Sequence, residues 1–99
     1  MSAFDFTCNE DTSIFIFKGE LDTLACMGFE EEVLTLVKTH KGKVAFDLQS
    51  VNYISSSFIR LCGSAATLVG SQNISLINLN KEIKKNLTKI GLASVLNIK

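Results

Sequence analysis

The sequence predicts an α/β domain built on a mixed, mostly parallel sheet of four to five strands, with an N-terminal antiparallel hairpin and three to four helices. Short segments rich in β-branched and aromatic residues alternate with helical segments of about 10–17 residues. This alternation implies crossover connections, which join parallel strands. The 99 residues contain no proline and no low-complexity linker, so we expect residues 1–99 to form one domain.

The first two strands form the hairpin. Residues Phe4 to Cys8 alternate between apolar and polar side chains, as in a strand with one buried face. The turn-forming residues Asn9 to Thr12 follow, and Ile14 to Phe17 is apolar on both faces. We therefore expect the second strand to lie deeper in the sheet and to end where Gly19 to Asp22 interrupts the pattern.

The next segment predicts a helix that runs from Asp22 or Thr23, either of which can cap it, to about His40. Its apolar residues recur every three or four positions and form one core-facing stripe: Cys26, Phe29, Val33, Leu36 and Val37. Acidic residues lie in its first half and basic residues at its end, which suits the helix dipole. Gly42 supplies the left-handed stop.

A third strand is predicted over Lys43 to Leu48, followed by a loop over Gln49 to Ile54. After three serines, Phe58 to Val69 has the length of a helix and is apolar nearly all round, and Gly70 closes it. Such a helix buries one face in the fold and leaves the other to be covered by something else.

The C-terminal part predicts a strand, a helix and a tail. Ile74 to Leu79 is the fourth strand, and Asn80 caps a helix from Lys81 to Ile90 that Gly91 stops. Residues 92–98 are apolar, and we expect them to pack back on the domain as a helical turn or a short strand.

Charge and composition exclude several classes of function. Ten basic side chains balance ten acidic ones, so the chain lacks the basic stripe that nucleic-acid binding requires. It also lacks an export signal and an apolar run near the roughly 20 residues of a membrane helix. We expect a cytoplasmic protein without membrane insertion, whose neutral surface suits contact with other proteins and permits a homodimer.

No catalytic, metal or cofactor site is expected. Cys8, Cys26 and Cys62 lack metal-ligand spacing, and we expect all three to be small buried apolar side chains. His40, the one histidine, lies at a predicted helix end as a cation rather than a catalytic base. The phosphate-binding glycine motifs of nucleotide enzymes are missing.

Asp47 lies near the end of a predicted central strand, where open α/β sheets place their ligands. Since it has no partner acid or base, we expect it to accept hydrogen bonds from amides of the following loop. One alternative function is therefore a small-ligand binder or enzyme of flavodoxin-like architecture that uses these strand ends. The missing phosphate loop argues against it.

The most informative segment is Asp47 to Leu61, where a strand runs into a loop and a serine opens an apolar helix. The first amides of a helix have no internal partners and carry partial positive charge. A serine hydroxyl there caps the helix, a contribution of about 1 kcal/mol. The same amides tolerate a phosphate on that serine, although simple capping is the plainer role.

The order of elements, together with this segment, resembles the STAS domain over nearly the whole chain, and especially the small bacterial anti-sigma factor antagonists. Phe17 to Asp22 resembles the Gly-Glu-Leu-Asp turn of the family, and Asp47 to Val51 its Asp-Leu-Ser-x-Val strand end. Ile54 to Ser57 lies where the family has an apolar residue followed by Asp-Ser-Ser or Asp-Ser-Ala. Gly91 and Leu92 match the Gly-Leu after its last helix.

The resemblance implies a non-enzymatic regulator whose partner is an ATP-binding serine kinase that is also the anti-sigma factor. The unphosphorylated antagonist binds the kinase and frees the sigma factor, whereas the phosphorylated antagonist dissociates from the kinase. By position the phosphorylated residue is Ser56, or Ser55 or Ser57 if the register differs by one. The implied docking surface includes the exposed side of the second helix. Its other members are Asp22, Thr23, Tyr53, Ser55, Ser57, Phe58 and Arg60.

Three departures from the family pattern favour an alternative. Ser55 replaces the usual Asp, and Phe58 and Arg60 occupy positions where glycines are common. Arg60 is either a partner for a phosphate on Ser56 or Ser57 or a plain surface charge. The alternative is a constitutive STAS scaffold, or a subunit of a signalling or lipid-transport complex, without a phosphoswitch.

Overall fold

The computed structural model describes residues 4–40, 42–89, 91 and 97–98. In this part of the chain the strands are β1 (Phe4–Asn9), β2 (Thr12–Leu21), β3 (Lys43–Ile54), β4 (Ile74–Ile77) and β5 (Asn97–Ile98). The α-helices are α1 (Thr23–His40), α2 (Ser56–Val69) and α3 (Lys81–Lys89). The strands lie in the order β1-β2-β3-β4-β5. Only the β1–β2 pair of these described strands is antiparallel, which confirms the predicted fold class.

The core lies between one face of the sheet and the three helices. On the sheet, Phe15, Phe17 and Phe46 are fully buried, and the rings of Phe17 and Phe46 are 5.3 Å apart. All three helices add buried residues to the same cluster. The opposite face of the sheet carries residues that lie outside this cluster: Ile14, Ile16 and Ile77. The thinnest dimension of the molecule is 19 Å, which fits one sheet and one layer of helices of roughly 10 Å each.

Two strands extend beyond their predicted ends. β2 continues through Gly19 to Leu21, and β3 includes Gln49 to Ile54, so the predicted interruption and the predicted loop were both wrong. Register shifts between Ile16 and Lys18 and between Gly19 and Glu20 mark irregular pairing of β2 with β3. Because β4 ends at Ile77, opposite Asp47, β2 is the one described strand that pairs with this distal part of β3. We call Lys18–Leu21 and Gln49–Ile54 the two-stranded ribbon.

The helix ends follow the sequence closely. The Asp22 carboxylate accepts a hydrogen bond of 2.9 Å from the Ala25 amide, and the Asn80 side chain accepts one of 2.8 Å from the Ile83 amide. These bonds confirm Asp22 and Asn80 as caps of α1 and α3. β4 ends two residues earlier than predicted, before Asn78 adopts a positive φ of 59°. Ile90 and residues 92–96, for which the sequence predicts a helix end and an apolar tail, lie outside the described residues.

None of the helices that the structure describes has both the length and the apolar character needed to cross a bilayer.

Candidate functional site

The candidate site lies where the two-stranded ribbon ends and α2 begins. Ser55 is the residue before the helix, with extended backbone angles, and its hydroxyl makes no capping bond. That hydroxyl instead donates a hydrogen bond of 2.8 Å to the Leu21 carbonyl, and Ser55 is only 8% exposed. The predicted serine cap was therefore wrong, because the buried carbonyl at the end of β2 takes the hydroxyl that would otherwise reach the helix amides.

Ser57 joins the first turns of two helices. Its hydroxyl donates to the Thr23 hydroxyl at 3.2 Å, which ties the start of α2 to the start of α1. One carboxylate oxygen of Asp22, the residue before Thr23, caps α1. These contacts hold Asp22 and Thr23 next to the serine segment.

Ser56 differs from both neighbouring serines. It is exposed at the first position of α2, and within the described residues its hydroxyl makes no hydrogen bond. The amides of Ser56 and Ser57 lie in the first turn, where a helix offers no internal acceptor and carries partial positive charge. Of the three consecutive serines, Ser56 thus combines solvent access, an unengaged hydroxyl and a favourable electrostatic position for an anion.

Phe58 and Arg60 behave differently from each other. Phe58 is fully buried, with its ring 5.2 Å from that of Phe17 and 5.9 Å from that of Phe46. Its inclusion in the docking surface was therefore wrong, since the first turn of α2 places this position on the core side. Arg60 is exposed two residues later, one turn along from Ser56.

Large apolar side chains are exposed around this helix start. Leu24 is 78% exposed and Met27 74% exposed in the first turns of α1, and Tyr53 is 49% exposed near the end of β3. All three lie at the end of the molecule where α1 and α2 begin, and Met27 follows Thr23 by one helical turn. We call Leu24, Met27 and Tyr53 the apolar patch. Several large apolar side chains exposed at one end of a molecule favour a surface that binds other proteins.

Sequence reasoning included Tyr53 but missed Leu24 and Met27. The signal was present in the sequence. Both are large apolar residues of a helix, yet both fall outside the core-facing stripe of α1. Two large apolar residues three positions apart, both outside the buried stripe of a helix, favour a contact with another molecule.

Asp47 has a structural role. One of its carboxylate oxygens accepts hydrogen bonds from the Gln49 amide at 3.0 Å and from the Asn78 side chain at 3.1 Å. The predicted bond to a following amide is confirmed, although Asp47 lies within β3 rather than near its end. His40 ends α1 as predicted, with its ring 5.1 Å from that of Phe6.

The cysteines are divided between the core and the surface. Cys26 and Cys62 are buried as predicted, and burial raises the pKa of both thiols, which keeps them protonated and unreactive. Cys8 is exposed, so the expectation that all three are buried was wrong. Cys8 lies on edge strand β1, near the turn. The last three residues of this strand are all exposed, so its apolar positions are not buried there.

Comparisons with known proteins agree with the observed fold. A family model described as the STAS domain matches residues 3–99. An anti-sigma factor antagonist from Mycobacterium paratuberculosis superposes with a TM-score of 0.84 at 14% identity, over 96% of this chain and 82% of that chain. The phosphorylated form of the Bacillus cell fate determinant SpoIIAA gives a TM-score of 0.69 at 19% identity, over 98% and 91%.

The unphosphorylated form of the anti-sigma factor antagonist SpoIIAA gives a TM-score of 0.70 at 17% identity, over 87% of this chain and 82% of that chain. At these identities the solved structures show a shared fold. No curated protein sequence matches the chain.

Proposed function

This chain belongs to the STAS domain family, and from that premise we propose that it is an anti-sigma factor antagonist-like regulator switched by phosphorylation of Ser56. Its partner is an ATP-binding serine kinase that is also an anti-sigma factor, so the protein controls transcription indirectly. It acts by binding and not by catalysis. The single observation that carries the proposal is the exposed, unengaged hydroxyl of Ser56 at the first position of α2.

The hydrogen bonds of the neighbouring serines support Ser56 as the phosphorylated residue. Phosphorylation of Ser55 would have to break the buried bond to Leu21 and place a charge beside the core. Phosphorylation of Ser57 would break its bond to Thr23 and separate the first turns of α1 and α2. Ser56 accepts a phosphate without loss of any described hydrogen bond.

The same geometry supports a switch in binding. A phosphate adds about −1.5 to −2 charges, which the free amides at the start of α2 tolerate. That charge would appear beside the apolar patch of Leu24, Met27 and Tyr53, where a partner must exclude water. A docked apolar surface cannot solvate the phosphate, so the phosphorylated protein dissociates while its fold stays intact.

The experiment uses the purified protein, ATP and each ATP-binding serine kinase of the source organism in turn. We expect one kinase to add a single phosphate, which intact-mass and fragment spectra assign to Ser56. Ser56→Ala abolishes the addition, whereas Ser55→Ala and Ser57→Ala retain it and serve as matched controls. Absence of phosphate on all three serines with every kinase would reject the switch.

A second candidate function rests on Ser55. This residue stands where the family usually has Asp, and its hydroxyl is engaged with Leu21 rather than presented to a kinase. A constitutive STAS scaffold, or a subunit of a signalling or lipid-transport complex, has no need of the carboxylate. A co-purifying complex whose affinity is unchanged by Ser56→Asp would favour this function, and a tenfold or greater loss of affinity would favour the switch.

A further inference from the structure

The charges of this neutral chain are separated along its length. Residues 1–40 contain eight of the ten acidic side chains and two of the ten basic ones. Residues 41–99 contain the other two acidic side chains and eight basic ones. Residues 1–40 therefore form an acidic half and residues 41–99 a basic half, and their opposite net charges cancel to give the formal charge of zero.

The strand order turns this separation along the sequence into a separation in space. Since the sheet runs β1-β2-β3-β4-β5 in chain order, the described elements of the acidic half form one side of the molecule and those of the basic half the other. α1 packs over the acidic side, with the ring of Phe29 6.0 Å from Phe4 and 5.2 Å from Phe17. α3 connects β4 to β5 on the basic side.

The basic side is concentrated on α3. Away from its buried residues Ile83 and Leu87, this helix of nine residues exposes one glutamate, Glu82, and four lysines: Lys81, Lys84, Lys85 and Lys89. Among the described residues, the one ion pair within 4.0 Å joins Lys18 to Asp5, so none of the four lysines has a carboxylate partner. Self-repulsion among like charges one turn apart is relieved by an acidic surface.

The acidic side offers such a surface on α1. Glu31 and Glu32 are exposed in the middle of this helix, and no ion pair within the described residues engages them. The cation-rich helix α3 and the carboxylate-rich helix α1 are thus complementary, but they belong to opposite sides of one molecule. Only a second copy of the chain can bring the α1 of one molecule against the α3 of another.

We propose that copies of this protein associate head to tail, with the α3 lysines of one copy against the α1 glutamates of the next. Such a contact uses two different surfaces, so it leaves both unused surfaces free to bind further copies. Each exposed ion pair contributes little, so the association is weak, needs several pairs and depends on ionic strength. It does not involve Ser56 and stands apart from the proposed function.

Sedimentation velocity of the full chain tests this proposal. At about 10 mM salt, where the Debye length is about 30 Å, and on the order of 1 mM protein, we expect a weight-average mass at least twice the monomer mass of 10.8 kDa. At about 0.5 M salt the mass should return to 10.8 kDa. Ser56→Ala should behave as the unmodified protein does. A constant monomer mass at low salt would overturn the proposal, as would an oligomer that persists at high salt.

Charge reversal provides the sharper test. The double variants Lys84→Glu/Lys85→Glu and Glu31→Lys/Glu32→Lys change only exposed side chains, and circular dichroism checks that both fold. We expect each variant alone to be monomeric, because both of its surfaces then carry the same sign. An equimolar mixture should associate again, because each surface then meets one of opposite sign in the other variant.

A mixture that remains monomeric would overturn the proposal. So would a monomeric protein that instead co-sediments with vesicles of phosphatidylglycerol through its α3 lysines, because the basic surface would then serve an anionic lipid.

Discussion

The hydroxyl of Ser55 donates a 2.8 Å hydrogen bond to the Leu21 carbonyl, which also accepts the Ser55 amide at 3.0 Å. One buried oxygen at the end of β2 therefore holds the residue that follows β3. This double contact fixes the direction in which the chain enters α2. Ser56 is exposed because Ser55 is held inside.

We expect Ser55→Ala to lower the free energy of unfolding by about 1 kcal/mol, the usual net contribution of a buried hydrogen bond. The loss is not larger because the Leu21 carbonyl keeps the amide bond from residue 55. Urea denaturation measures it. Ser56→Ala is the matched control, since it removes an exposed hydroxyl, and its effect should stay within about 0.5 kcal/mol. Equal stability of the two variants would contradict the structural role of Ser55.

Replacement of two glycines by alanine should change the stability of the protein in opposite directions. Gly42 has a φ of 121°, and a Cβ there would lie 2.6 Å from the Asp11 carbonyl oxygen. We expect Gly42→Ala to destabilise the protein by more than about 1 kcal/mol. Gly63 is an exposed helical residue of α2, and within the described residues no atom beyond its own turn of helix lies within 4 Å of the place a Cβ would take, so Gly63→Ala should stabilise by up to about 1 kcal/mol. Thermal unfolding of both variants gives the signs directly.

The apolar patch predicts where binding energy lies. Leu24→Gln and Met27→Gln each replace an exposed side chain, so the fold and its stability should be retained. We expect each to weaken binding of the serine kinase proposed as the partner by about tenfold, or about 1.4 kcal/mol. Isothermal titration calorimetry measures the affinity.

Leu68→Gln is the control for this prediction. Leu68 is also exposed, at 42%, but it lies in the last turn of α2, at the opposite end of that helix from Ser56. Its replacement should leave the affinity unchanged. An equal loss of affinity for all three variants would show that the patch has no special role.

The buried thiols predict a loss of stability at alkaline pH. Burial raises the pKa of Cys26 and of Cys62 above the ordinary value of 9.0, so the folded state keeps these protons to higher pH than the unfolded chain does. The contribution to stability is complete below pH 9.0 and is lost as the pH rises above it. We expect the free energy of unfolding to fall more steeply above that pH in the wild type than in Cys26→Ala/Cys62→Ala.

Urea midpoints between about pH 7 and pH 10.5 provide this comparison. Cys8→Ala is the control, because solvent reaches this thiol in the folded protein as well. Its slope should match that of the wild type. A double variant with the slope of the wild type would contradict the assignment to the buried pair.

The helices and the N-terminal hairpin could be predicted because their signals are local. The caps at Asp22 and Asn80 and the stop at Gly42 depend on residues a few positions away, and the apolar stripe of α1 has a clear period. The ribbon could not be predicted in this way. Gln49 to Ile54 is half polar and buries only Val51, because β4 does not reach it, so the segment shows no regular alternation to detect.

The details of the candidate site depend on contacts far apart in sequence. The three serines are chemically alike, and only Leu21 and Thr23, each 34 residues away from its partner, distinguish Ser55 and Ser57 from Ser56. Phe58 was misplaced for a related reason. In a helix that is apolar nearly all round, the position of the core is decided by Phe17 and Phe46 and not by the helix's own pattern.

The two-stranded ribbon has a consequence for deuterium exchange. Amides of Val44 to Asp47 lie between two neighbouring strands, whereas those of Gln49 to Ile54 have β2 alone beside them. Transient opening of the ribbon breaks fewer contacts, so protection against exchange should decline along this one strand toward the candidate site. A molecule that binds the candidate site should therefore slow deuterium exchange in the ribbon. This measurement requires neither a chemical label on the partner nor the prior choice of a kinase.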